Sequence, residues 1–72
     1  MKPGIVKLIA ELESKGYGVS IKNNGSYEIS KPNHKRVTLV IGEDGLAYRG
    51  DVHAELALTV RTIKQMREIL GV

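Results

Sequence analysis

The chain has no cysteine, no tryptophan and no phenylalanine, and only two prolines in 72 residues. Without cysteine, disulfides and thiolate metal sites are excluded, which suits a reducing compartment. No apolar run approaches the roughly 20 residues that span a bilayer. The opening "MKPGIVKLIAELESKG" lacks the long apolar core and small-residue cleavage site of a secretory signal. The expectation is a soluble, cytoplasmic protein with no membrane partner. Nucleophile elbows, phosphate-binding glycine loops and paired-carboxylate motifs are also missing. No catalytic residue and no cofactor are therefore assigned. His34 and His53, without a grouped set of carboxylates, make no metal site.

What is present fits one small domain over residues 1–72. Hydrophobic residues make up 42% of the chain, enough for a core, although a chain this short buries only roughly 60% of its unfolded surface. Additional burial in a homodimer would help it, and the sequence leaves monomer and homodimer open. The net charge is +3. Lys22, Lys31, Lys35 and Arg36 cluster around one hairpin with only Glu28 among them, and Arg61, Lys64 and Arg67 lie near the end. The acids Glu43, Asp44, Asp51 and Glu55 collect between the two basic groups.

Residues 5–15 read as a helix, with Ile5, Leu8, Ile9 and Leu12 at helical spacing and Gly16 as its stop. "YGVSIK" and "SYEISK" alternate as half-buried strands. A three-residue loop, Asn23-Asn24-Gly25, pairs Ile21 with Tyr27, whereas a two-residue turn would set Ile21 against Glu28. "RVTLVIG" supplies a third strand with Val37, Leu39 and Ile41 inward, and "LAYR" a short fourth. For the last hairpin, a two-residue Asp44-Gly45 turn places Tyr48 opposite Ile41. By this parity Tyr17, Tyr27 and Tyr48 all point to the core, which argues against a sheet that stacks single-stranded bases. The opposite face carries Ser20, Lys22, Glu28, Ser30, Arg36, Thr38, Val40 and Arg49.

"TVRTIKQMREIL" is helical, with Thr59 or Thr62 as its N-cap; Thr62 with Gln65 has capping-box spacing. "DVHAELALT" alternates like a strand but is built of good helix formers; we carry forward one long helix from about Asp51, with Asp51 as its cap. The tripeptide Arg49-Gly50-Asp51 matches an adhesion motif, but a breaker followed by a cap accounts for it. The fold class is α+β, in the order α-β-β-β(-β)-α. It is an antiparallel meander of three or four strands, with both helices on its one apolar face.

His34, in a turn beside Lys35 and Arg36, reads as a solvated turn residue or as a phosphate contact. Arg61, Lys64 and Arg67 form an i, i+3, i+6 stripe, which reads as a solvated helix face or as a set of phosphate contacts. With Lys22, Lys31, Lys35 and Arg36 they make a candidate basic rim for RNA or DNA.

The stretch "LIAELESKGYGVSIKNNGSYEISKPNHKRVTLVIG" resembles the HicA family of small mRNA-cleaving toxins, which have a double-stranded-RNA-binding-like fold. The shared features are a helix ending in Gly-aromatic, a Gly-Ser before the second strand, and a polar turn before "RVTLV". "TVRTIKQMREIL" is similar to that family's closing helix. The resemblance implies a catalytic histidine directly after Gly-Ser, but here Gly25-Ser26 is followed by Tyr27, a poor general base at neutral pH. It therefore implies a nucleic-acid-binding surface without the ribonuclease. The competing readings are a protein-interaction module, acting as inhibitor or adaptor through the open sheet face or a strand edge, and a ribonuclease with His34 or His53 as base.

Overall fold

The computed structural model describes residues 3–50 and 59–72. Helix α1 spans Pro3–Ser14 and buries Ile5, Leu8, Ile9 and Leu12, the expected stripe. Pro3 opens it, where a missing N–H costs nothing. Its end is fixed by Gly16 at φ 86°, with the N–H of Gly16 on the Glu13 carbonyl and that of Tyr17 on the Leu12 carbonyl. These two bonds satisfy carbonyls that the last helical turn leaves open and deliver Tyr17 back onto the helix.

Four strands follow: β1 (Gly18–Ile21), β2 (Tyr27–Ser30), β3 (Leu39–Ile41) and β4 (Ala47–Arg49). They form an antiparallel meander in the order β1-β2-β3-β4. The first hairpin has the expected register, Ile21 opposite Tyr27 and Val19 opposite Ile29. The Lys22 N–H reaches the Ser26 carbonyl at 2.8 Å, and Gly25 takes the left-handed position at φ 84°.

The last hairpin differs from expectation. Ile41 faces Ala47, not Tyr48, and Tyr48 pairs with Val40 on the open face, where it is 49% exposed. The loop is a second copy of the first: three residues, Glu43-Asp44-Gly45, with Gly45 at φ 87° and the Gly42 N–H on the Leu46 carbonyl at 2.7 Å. In each loop an Asx side chain takes a backbone N–H, Asn24 from Ser26 and Asp44 from Leu46, both at 3.0 Å. The shift by one residue also moves Arg49 from the open face to the helix side, opposite Leu39. Val37 and Arg36 fall in the connection before β3; Val37 is half-buried there.

Helix α2 covers Ile63–Leu70. Thr62 caps it as expected: its side chain accepts from the Gln65 N–H, and the Gln65 side chain accepts from the Thr62 N–H. A single helix from Asp51 to the end is excluded. Val60 is extended and bridges Ala47, with both N–H···O bonds made at 2.9 and 2.6 Å. The proposed cap at Asp51, the conformation of "DVHAELAL" and His53 lie outside the described residues.

Both helices cover one sheet face and run parallel to each other. Ile63 sits against Gly4 at the start of α1, Arg67 engages Glu11 midway, and the Leu70 carbonyl accepts the Tyr17 hydroxyl at 2.6 Å. The core between them consists of Leu8, Leu12, Ile29, Leu39, Ile41, Met66 and Leu70 with their neighbours. Tyr17 and Tyr27 pack against it as expected. No helix among the described residues is long and apolar enough to cross a membrane.

Candidate nucleic-acid interface

The sheet register sorts the basic side chains by end. Lys31 continues β2 past Ser30, which pairs with Gly18 where α1 hands the chain to the sheet. Residues 31–36 therefore project from that end. Arg61 follows Val60, which pairs with Ala47 beside the 42–46 hairpin, at the opposite end. Lys64, in the first turn of α2, is at that second end too. The rim of cations expected around one surface is thus divided between two ends of the molecule.

Two of its members are already engaged. Arg67 grips Glu11 with both guanidinium nitrogens, at 3.1 and 2.8 Å, and Lys15 joins the same carboxylate at 3.2 Å. Lys22 reaches Glu28 on the neighbouring strand at 3.4 Å. Periodicity could not show this, because Glu11 and Arg67 lie 56 positions apart and meet only through the parallel helices. The hydrogen bonds from Arg67, and then from Lys15, hold the Glu11 carboxyl below the ordinary carboxylate range, and Glu11 in turn raises Arg67. A carboxyl lowered by folding stabilises the fold above its unfolded pKa, and that gain disappears as pH falls through the folded value. We expect Glu11→Gln to be less stable than the parent at about pH 7, and the gap to be narrower at about pH 3. Urea midpoints at the two pH values check this.

The 31–36 turn keeps its cations available. Lys31-Pro32-Asn33-His34 is a β-turn closed by the His34 N–H on the Lys31 carbonyl at 3.1 Å. Proline pre-sets the second position and Asn33, at φ 64°, takes the left-handed third, as in a type II turn. The His34 ring is tied back, its Nδ1 donating to the Pro32 carbonyl at 2.9 Å, which leaves Nε2 on the outer edge. Lys35 and Arg36 are exposed and Lys31 half-buried. Among the described residues, no carboxylate lies within ion-pair reach of Lys31, Lys35 or Arg36, and residues 29–42 contain no acid.

At the other end, Glu43 lies over Gly25 and Asp44 over Gly42. Arg61 and Lys64 share that end with these two carboxylates. Among the described residues, then, one end of the sheet carries a basic turn without acids and the other a mixture of both signs. The open sheet face between them carries the row Ser20, Glu28, Val40 and Tyr48. Tyr48 is its one aromatic ring among the described residues, fewer than the two or three bases' worth of stacking that single-strand readers use.

Tyr27, at the position where the resemblance implies a histidine, lies in β2 and packs half-buried on the core. No family model, no curated protein and no solved structure matches this chain.

Proposed function

We propose that this is a small non-catalytic nucleic-acid-binding protein that holds the phosphate backbone through its 31–36 turn. The observation that carries the reading is the density of positive charge there. Lys31, Lys35 and Arg36 sit in one short connection with His34 between them, and among the described residues no carboxylate pairs with them. Cations so placed neutralise phosphates and release condensed counterions, a contact that reads backbone and shape rather than base sequence. Proline and a left-handed asparagine fix the loop, which lowers the ordering cost of binding.

A fluorescence-anisotropy titration against duplex RNA and duplex DNA at two salt concentrations tests this. Three phosphate contacts predict a salt slope of about −2.7 on B-DNA, or roughly a 40-fold loss of affinity from 50 to 200 mM salt. The triple variant Lys31→Gln, Lys35→Gln, Arg36→Gln removes most of that slope. Lys22→Gln with Arg67→Gln leaves it nearly unchanged, because both side chains already serve carboxylates. No binding to either duplex at low salt ends the proposal.

A further inference from the structure

The two edges of the sheet are not alike. The outer side of β4 is met by Val60, which pairs with Ala47. Among the described residues nothing pairs with the outer side of β1. That edge has none of the usual protections: no proline and no bulge, and its lysine, Lys22, is turned to the open face and neutralised by Glu28. Beside it, on the helix side, runs a largely apolar groove lined by Val6, Ile9, Ala10, Val19, Ile21 and Tyr27, with Glu13 as its one charged wall. Ile21 is 71% exposed although it stands on the sheet face that elsewhere is core, and Val6 of α1, on the other wall of the groove, is 51% exposed.

We infer that this edge is the interface of a two-fold dimer, in which β1 pairs antiparallel with β1 of a second copy to give one continuous eight-stranded sheet. The hydrogen-bonding groups fix the register. The Lys22 N–H points to β2, so Ser20 and Gly18 do as well, and antiparallel alternation turns the N–H and C=O of Val19 and Ile21 outward. The Tyr17 N–H is committed to the Leu12 carbonyl and is not available. Pairing Val19 with Ile21 of the second copy, and Ile21 with its Val19, uses every outward group of the strand. This register puts Ser20 opposite Ser20 on the two-fold axis. It also keeps like faces together, since Val19 and Ile21 both stand on the helix side.

Self-complementarity favours a second copy over an unrelated strand. α1 packs over β1, so the axis brings the two α1 helices side by side and antiparallel. Lys7 and Glu13 are exposed three residues either side of Ala10, and antiparallel helices set each Lys7 toward a Glu13. Val6 and Ile21 fill the groove from both sides. A standard interface takes about 800 Å² per partner, about one-sixth of the 4930 Å² surface of the chain. The inference stands apart from the phosphate reading, because the 31–36 turn leaves the end of β2 and leads to β3, and contributes no residue to the outer side of β1.

The absence of cysteine makes the test clean. Ser20→Cys places two thiols at a non-hydrogen-bonded pair, with Cα atoms about 4.5 Å apart, inside disulfide reach. Under mild oxidation it should form a covalent dimer rapidly, and Ser30→Cys, away from the edge on β2, should not. In sedimentation equilibrium the parent chain should run at twice 7.9 kDa. Ile21→Lys should return it to a single chain with an unchanged circular-dichroism spectrum. A parent that stays a single chain up to about 1 mM overturns the inference, as does a Ser20→Cys that cross-links no faster than Ser30→Cys. If Ile21→Lys fails to fold, the cysteine pair decides alone.

Discussion

Replacing Ile29 by alanine is expected to lower the unfolding free energy by about 2–5 kcal/mol. Ile29 is fully buried at the centre of the sheet, between Val19 on one side and Leu39 on the other, under both helices. Removing three carbons there loses their transfer energy and leaves a space that the rigid sheet cannot close. A domain of this size holds only about 4–11 kcal/mol in total, so the loss is a large part of its stability. Urea denaturation should show a much lower midpoint with a similar slope. Val40→Ala, half-buried on the open face of the neighbouring strand, should cost well under about 1 kcal/mol. A change of less than about 0.5 kcal/mol for Ile29→Ala would show that the sheet centre is not packed as described.

The second large effect concerns the two matched hairpins. Gly45→Val should destabilise by about 1–3 kcal/mol, because a β-branched residue is strained at positive φ. Gly45 sits at φ 87° and is buried, with its N–H closing the loop onto the Gly42 carbonyl. Gly45→Asn should cost a fraction of that, since asparagine tolerates the left-handed region. Gly25, at φ 84° in the same loop geometry, should show the same order of substitutions. Thermal melts of the four variants check this, and valine tolerated as well as asparagine would rule out the three-residue loop.

These loops also show what the sequence could and could not convey. The helices were legible because Leu8 and Leu12, or Met66 and Leu70, repeat at helical spacing next to definite caps and stops. The first hairpin was legible because only one loop length sets Ile21 against Tyr27. The same test misread the last hairpin. "LAYR" contains two alternations, and side-chain size favours an inward Tyr48. The fold places Ala47 there because the three-residue loop, closed by the Gly42 N–H on the Leu46 carbonyl, sets Ile41 against it. The telling signal is chemical: Asn-Gly and Asp-Gly stand at the same place in both loops, each with its Asx side chain accepting the N–H two residues on. In the candidate interface, the 31–36 cations were legible because they are contiguous. The loss of Lys22 and Arg67 to carboxylates was not, since it depends on which way each element turns about its axis. The bare β1 edge was hidden as well, because alternation marks Ile21 as inward without saying that its strand is outermost.

The parallel helices set the order in which this molecule can be made. The cover over Leu8 and Leu12 of the first helix is completed by Met66 and Leu70, and the Tyr17 hydroxyl finds its acceptor at residue 70. During synthesis at about 5–20 residues per second, the early apolar stripe must wait for seconds. A ribosome stalled before the second helix clears the exit tunnel would present an unsealed nascent chain, the species that holdase chaperones recognise.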